Sequence, residues 1–333
     1  VSRKDETPII GESPAFMSVL EQVSEVAPLS RPVLVVGERG TGKELIAERL
    51  HFLSGRWQAP LVKLNCAAIS EALLESELFG HETGAFTDAS RKRLGRFEHA
   101  EGGSLFLDEL SSTSMSVQEK ILRVIEYGEF ERLGSSRTRK VDVRLIGATN
   151  QDLPELAKKR QFRSDLLDRL AFDVITLPPL RARREDILSL AEHFALRMTR
   201  ELDRDLFAGF SRDASRKLLG HSWPGNVREL KNVVERAVYR NTNPKEPARE
   251  IDFDPFDSPW RPVSGSPAPS TGLPDPADGP LDWHKTISEM ETGVLKKALE
   301  HCEFNQRKTA EHLGLTYHQL RGLLRKYEMT GDG

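Results

Sequence analysis

The sequence predicts an α/β domain with a parallel five-stranded sheet and helices on both faces, then a helical subdomain, then a small all-α domain. Three observations carry this. Five short apolar runs, Val33 to Val36, Leu61 to Leu64, Ser104 to Leu107, Val143 to Ala148 and Asp173 to Leu177, alternate with helical patterns, as buried parallel strands joined by crossover helices do. From Arg184 to about Arg240 the strand signals stop. There EDILSLAEHFALRMTREL and NVRELKNVVERAVYR read as two helices separated by the breaker Trp223, Pro224, Gly225. Finally, eight of the 26 residues from Pro255 to Pro280 are proline, which reads as a linker. The expected boundaries are residues 1–180 for the sheet subdomain, 181–250 for the helical subdomain, 251–280 for the linker and 281–333 for the last domain.

The size fits this plan. A chain of 333 residues exceeds the ~150 of a typical domain. A hydrophobic fraction of 38% and a net charge of −3 exclude wholesale disorder, and leave nucleic-acid contact to a local basic surface. Cys66 and Cys302 form no CxxC pair, which argues against a disulfide framework or a cysteine zinc site. No apolar run approaches the ~20 residues that span a bilayer, and the start, VSRKDET, is unlike a secretion signal. The expectation is a cytoplasmic protein without membrane insertion.

The first element with chemistry is PVLVVGERGTGKELIAERL, a strand, a glycine-punctuated turn and an amphipathic helix. Gly37, Gly40 and Gly42 let backbone N–H groups face a polyphosphate, and Lys43 adds a point charge. Glu38, Arg39 and Thr41 complete the loop. Glu44 stands where a magnesium-ligating Ser or Thr is usual, so the metal must rely on other groups.

A second requirement is an acidic strand end. In GGSLFLDEL, Asp108 and Glu109 follow apolar Leu105, Phe106 and Leu107, at the strand end where ligands sit in open α/β sheets. Asp108 is expected to organise Mg2+, and Glu109 to orient and polarise an attacking water. ATP is the expected ligand. A nucleotide switch that only binds has no need of Glu109.

Near the end of the chain, residues 305–327 hold five Lys or Arg against one Glu. Ala310 and Leu313, then Gly314, then Leu320, Leu323 and Leu324 spell a helix, a tight turn and a second helix that Thr316 can cap. With the leucines inward, Thr316, Tyr317, Gln319 and Arg321 fall on the exposed start of the second helix, which enters the major groove in such motifs. Gln319 and Arg321 are expected to read base edges. Arg307, Lys308 and Arg325 are expected to meet phosphates.

The segments GERGTGKELIA, NCAA, ESELFGHETGAFTDA, GGSLFLDE, ATN, FRSDLLDRL and WPGNVRELKN together resemble the AAA+ ATPase domain of bacterial enhancer-binding proteins, the activators of sigma-54 RNA polymerase. The likeness runs from about Ile10 to Arg240, and the last domain resembles the Fis-type helix-turn-helix of the same family, which favours Glu at position 44. The resemblance implies an ATPase that binds upstream enhancer DNA and remodels the closed complex of the sigma-54 RNA polymerase holoenzyme. It also implies roles: Asn65 as the residue that switches Glu109, Asn150 as the γ-phosphate sensor, Arg163 and Arg169 as fingers reaching the next subunit of a homo-hexamer, and Arg228 as the lid sensor, on a helix that Asn226 can cap. The loop His81 to Ala89 matches the sigma-54-contacting signature, which implies contact through Gly84, Ala85, Phe86, Thr87, Asp88 and Ala89, with Phe86 and Thr87 at the tip.

Asp88 departs from the family, which has Gly there. It adds a charge and loses glycine's freedom, and either suits its own sigma factor or weakens coupling. Within the family the chain looks most like the phage-shock activators, which implies control by a separate inhibitor resembling phage shock protein A. The competing readings are a generic AAA+ remodeller and a nucleotide-regulated DNA-binding protein without sigma-54 activity.

Overall fold

The computed structural model describes residues 8–85, 91–258, 260–261, 283–302 and 305–327. The chain forms two compact units, divided at Pro255. In the first, the five apolar runs are strands: β1 (Val33–Val36), β2 (Leu61–Asn65), β3 (Ser104–Asp108), β4 (Arg144–Thr149) and β5 (Val174–Thr176). They make one parallel sheet in the order β2-β3-β4-β1-β5.

The register pairs Asn65 with Asp108 and Val36 with Thr149. The ends of four strands therefore meet at one edge, with Asn65, Asp108 and Thr149 as polar tips, where an α/β sheet presents its ligand site. β2, β3 and β4 run one residue past their apolar runs because ladder hydrogen bonding continues through Asn65, Asp108 and Thr149. Asp173 and Leu177 fall outside β5, although Leu34 N–H donates to Asp173 O and Leu177 N–H to Val36 O, at 3.0 and 2.8 Å.

Strand periodicity assigns the two faces. Val33 and Val35 of β1 pack with α1 (Pro14–Val26) and α2 (Lys43–Phe52), in a core with Phe16, Val23, Ile46, Leu50 and Ile146. Leu34 points to the other side, where Leu105, Leu107 and Leu145 pack against α3 (Glu71–Phe79), α4 (Met115–Tyr127), α5 (Leu153–Lys158) and α6 (Ser164–Leu170). Local chemistry sets the helix ends. Pro14 opens α1 where its missing N–H costs nothing. Ser114 Oγ accepts from Val117 N–H at the start of α4, and Gly128 closes that helix with φ 64°. Buried Arg144 donates to the carbonyls of Val26, Ala27 and Arg31 at 3.1, 2.6 and 3.1 Å. It thereby satisfies the end of α1, while burial pulls its pKa down to about 10.

The helical subdomain holds three helices, α7 (Asp186–Glu201), α8 (Arg212–Gly220) and α9 (Asn226–Arg240), where the sequence suggested two. α8 is easily overlooked because its nine residues bury only Ala214 and Leu218. Ser211 starts it, accepting from Ala214 N–H at 3.2 Å. Fully buried Trp223 anchors this core, with Nε1 donating to Leu218 O at 2.9 Å.

The second unit contains α10 (Trp283–His301), α11 (Gln306–His312) and α12 (Tyr317–Lys326), packed through Leu295, Leu299, Ala310, Leu320 and Leu324. Of the Pro-rich segment, Pro259 and residues 262–282 lie outside the described residues. Among the described residues no helix is long and apolar enough to cross a membrane.

Candidate functional site

The turn between β1 and α2 is set by its glycines. Gly40 and Gly42 have φ of 77° and 104°, values that side chains disfavour. A Cβ on Gly40 would also lie 2.4 Å from Gly225 O. Lys43 opens α2 and is buried, with Nζ donating to Gly37 O and Glu38 O at 2.9 and 3.3 Å. Burial lowers its pKa below the usual lysine range, against the pull of the Asp108 and Glu109 carboxylates. Glu44 points elsewhere: its carboxylate pairs with Lys63 Nζ at 2.9 Å, and Lys63 also pairs with Glu48. The residue in place of a metal-ligating hydroxyl is thus engaged with β2.

Asp108 ends β3, and Glu109 follows in the left-handed conformation, φ 52°, ψ 44°. Asn65, expected to meet Glu109, donates from Nδ2 to Asp108 Oδ2 at 3.2 Å, while its Oδ1 accepts from Ala67 N–H at 2.9 Å. The Glu109 carboxylate instead faces Arg39, Nε to Oε1 3.6 Å. The in-register pairing of Asn65 with Asp108 explains the difference, since it places the amide beside the nearer carboxylate. At the end of β4, Asn150 Oδ1 is buried without a hydrogen-bond partner, a costly state unless a ligand or water donates to it.

The lid touches the phosphate loop directly. Val227 N–H donates to Gly40 O at 3.0 Å, and a Cβ on Gly40 would lie 3.0 Å from Arg228 Cβ. Asn226 does not cap α9: Gly225 is the N-cap and no side chain closes it. Asn226 has φ 53°, which aims its amide at the loop. Glu38 is gripped by Arg181 at 2.6 and 2.8 Å and by Asn226 Nδ2 at 3.0 Å. Those contacts, Arg181 first, lower its pKa from 4.5 to about 2.

Arg163 and Arg169 are both held by carboxylates. Arg163 makes a bidentate pair with Asp165 at 3.0 and 2.7 Å and reaches Glu119 at 3.4 Å. Arg169 Nε meets Glu126 Oε1 at 2.9 Å with its side chain largely exposed.

A narrow apolar cavity of about 60 Å3 beside Thr41 and Gly42 is lined by Ile9, Ile10, Phe16, Leu45, Leu190 and Val227, with Arg183 and His193. Sequence reasoning missed it, because it forms only when the segment before α1 meets α7. The buried Asp186 carboxylate makes that meeting, accepting from Glu12 N–H, Ser13 N–H and Ser13 Oγ at 2.7 to 2.8 Å. Arg183 adds Nη2 to Thr41 O at 3.0 Å and stacks over Phe16. The site fits a magnesium nucleoside triphosphate: a glycine turn, a buried ammonium, a strand-end carboxylate pair and an apolar slot. No group of three His, Cys, Asp or Glu converges among the described residues. A Mg2+ ion would be held here by Asp108 with phosphate and water oxygens, its usual style of binding.

The base of the loop from His81 is tied down. Gly80 and His81 pair with Leu94 and Arg93, and Glu82 N–H donates to Leu133 O at 3.0 Å. Gly84 has φ 82°, and Ala85 N–H donates to Glu82 O. Phe86, Thr87, Asp88 and Ala89 lie outside the described residues.

In the second unit, Asn305 Oδ1 accepts from Arg307 and Lys308 N–H at 3.1 and 3.2 Å, starting α11. Gly314 turns with φ 66°. Thr316 caps α12 in a reciprocal box with Gln319: Gln319 N–H donates to Thr316 Oγ1 at 3.3 Å, and Thr316 N–H to Gln319 Oε1 at 2.9 Å. Arg307, Lys308, Thr316, Tyr317, Gln319, Arg321 and Arg325 are all exposed. The Gln319 amide oxygen is engaged by the cap, which leaves Arg321 as the less encumbered candidate for base readout. Lys326, counted among the local cations, pairs with Glu291 at 3.2 Å.

These features agree with three known families. Residues 9–176 match the Sigma-54 interaction domain, 181–255 the AAA+ ATPase lid domain, and 286–327 the bacterial regulatory proteins of the Fis family. The chain is 55% identical to the Psp operon transcriptional activator of Escherichia coli (strain K12), over 96% of this chain and 98% of that protein. It is 44% identical to the transcriptional regulatory protein ZraR of Klebsiella oxytoca, over 92% of this chain and 66% of ZraR. Against the Nif-specific regulatory protein of Azotobacter vinelandii it is 43% identical, covering 58% of that protein. Crystal structures of NtrX from Brucella abortus in complex with ADP and with ATP superpose with TM-scores of 0.68 at 33% identity, over 97% and 96% of this chain and 70% of NtrX. The Sigma-54 interaction domain, the AAA+ lid and the Fis-type helix-turn-helix follow one another along this chain, and the chain belongs to the sigma-54-dependent transcriptional activators.

Proposed function

We propose that this activator hydrolyses ATP to remodel the closed complex of sigma-54 RNA polymerase holoenzyme into an open complex, from enhancer DNA bound upstream by α11 and α12. The observation that carries the reading is the meeting of Lys43, Asp108 and Glu109 at one sheet edge, under a lid whose Arg228 packs on the phosphate loop. The working boundaries are residues 1–180, 181–250, 251–280 and 281–333, and the working compartment is the cytoplasm.

In this reading the loop from Gly37 to Glu44 binds the phosphates, and the slot between Ile9, Ile10 and Val227 takes the base. Mg2+, held by Asp108, supplies charge neutralisation on the phosphate oxygens. Lys43 exchanges its carbonyl partners for phosphate oxygens. Glu109 polarises the attacking water, and Asn65, bonded to Asp108, holds that carboxylate in place. Asn150 Oδ1, an acceptor, takes a hydrogen bond from a water or from its neighbours when the site fills, while its amide N–H groups serve the γ-phosphate.

Arg163 and Arg169 act on the neighbouring subunit of a homo-hexamer, where a planar guanidinium suits the charge spread over a transferring phosphoryl group. The likeness to a Psp operon activator supports action at phage-shock promoters, under a separate inhibitor resembling phage shock protein A. Phe52 at the end of α2 and Leu53 and Trp57 just after it are all exposed, and these residues offer a protein such as that an apolar surface. A steady-state phosphate-release assay tests the enzymatic core: wild type is expected to release phosphate from ATP in a Mg2+-dependent manner, and the absence of release at any protein concentration would refute it.

A further inference from the structure

Asn226 is fully buried, carries an uncommon positive φ of 53°, and uses its amide on three partners. Its Oδ1 accepts from Leu180 N–H at 2.8 Å, and its Nδ2 donates to Glu38 Oε2 and to Arg39 O, both at 3.0 Å. Three segments far apart in sequence are thus joined by one amide: the phosphate loop, the turn that leads into the lid, and the first residue of α9. Trp223, with φ 52°, and Gly225 place the turn so tightly that Gly225 O would sit 2.4 Å from any Cβ on Gly40. Asn is among the few side chains that tolerate the left-handed region, and strain of this kind persists where surroundings over-determine it.

We propose that Asn226 is a positioning residue that couples the phosphate loop to the lid, so that occupancy of the loop sets where Arg228, two residues on, stands. Glu38 is its acidic counterpart, fixed on the other side by Arg181. The coupling rests on the nucleotide-hydrolysis reading above. It follows from the chemistry of the contacts: the Asn226 carbonyl satisfies a buried N–H of the lid turn, and its NH2 satisfies two acceptors of the loop. No other side chain of similar size supplies both an acceptor and two donors; the aspartate isostere lacks the donors and would face the Glu38 carboxylate.

The test is steady-state ATP hydrolysis by the full chain, with kcat and KM separated, binding of a fluorescent ATP analogue, and thermal melting of each variant. Asn226→Asp is expected to raise KM at least tenfold, and to lower the melting temperature because a buried carboxylate then faces Glu38. Combining it with Glu38→Gln restores a donor and an acceptor in reversed polarity, and is expected to recover several-fold of that loss, whereas Glu38→Gln alone does not lower KM. Such non-additivity is the mark of direct coupling. Additive effects in the double variant, or a wild-type KM in Asn226→Asp, would overturn the proposal. If Asn226→Asp fails to fold, Glu38→Ala at the exposed end of the contact decides: a several-fold rise in KM supports the coupling, and unchanged kinetics overturn it. Wild-type protein without hydrolysis or analogue binding would instead remove the underlying reading, and the coupling with it; wild-type turnover that Lys43→Ala abolishes shows that reading intact whatever Asn226→Asp does.

Discussion

Arg39 and Glu109 face each other across the nucleotide site, Nε 3.6 Å from Oε1, with Arg39 mostly exposed and Glu109 nearly enclosed. A cation of the phosphate loop therefore rests against the carboxylate assigned to the attacking water. The pair is long and screened on one side, so it costs little to break. Arg39→Ala is expected to change turnover by less than about tenfold. Glu109→Gln is expected to keep nucleotide binding and lose hydrolysis, because it removes the base and leaves the loop intact. Lys43→Ala removes the buried ammonium of the loop and is expected to abolish binding. Titration with a fluorescent nucleotide beside a phosphate-release assay separates the three.

Arg169 is paired with Glu126 and exposed, which leaves it available to a neighbouring subunit at the cost of one surface ion pair. Arg169→Ala is expected to lower kcat by roughly 10³, the scale of other arginine fingers. Mixing supplies the sharper readout. Arg169→Ala and Glu109→Gln proteins, each inactive alone, are expected to recover hydrolysis when combined. Failure to recover at every ratio would place the arginine in its own subunit's chemistry or outside it.

Glu38 gives a pH signature. Arg181 and Asn226 lower its pKa from 4.5 to about 2. The sign follows from the depressed value: its stabilising contribution is present above about pH 4.5 and is lost as pH falls toward 2. Glu38→Gln is therefore expected to melt below wild type at pH 7, with the gap narrowing between pH 4.5 and 3. A gap independent of pH would show that the carboxylate's charge is irrelevant to the contact.

Much of the site was legible because its chemistry is local. Gly37 to Lys43 form one turn, and Asp108 with Glu109 ends one apolar strand, so spacing alone places them. Partners chosen by the tertiary fold were not legible. Asn65 meets Asp108 through strand register, Asn226 reaches back 188 residues to Glu38, and the slot beside Thr41 needs Asp186 to hold the segment before α1. The strands were readable because parallel interior strands are apolar on both faces. α8 was not, since a nine-residue helix with only two buried residues has too few apolar positions to stand out.

In the last domain Leu320 is fully buried between the helices, so Leu320→Ala is expected to cost about 2–5 kcal/mol of that unit's stability. Arg321→Ala is expected to relax preference at one base position and cost about 1–3 kcal/mol, whereas Lys308→Ala weakens binding to all sequences and flattens the salt dependence. Fluorescence anisotropy on specific and scrambled duplexes at several salt concentrations distinguishes them. Equal losses on both duplexes for Arg321→Ala would reassign it to phosphate contact.

The most direct measurement is open-complex formation at a sigma-54 promoter, followed by permanganate footprinting, with the ATPase rate taken on the same preparation. Wild type with holoenzyme and ATP is expected to melt the promoter, and Phe86→Ala to hydrolyse ATP within a few fold of wild type yet leave the DNA closed. Asp88→Gly, which restores the residue typical of the family, is expected to melt the promoter at least as well with unchanged hydrolysis. Promoter melting by Glu109→Gln protein, or by wild type without a hydrolysable nucleotide, would contradict an ATP-driven remodelling of the sigma-54 closed complex.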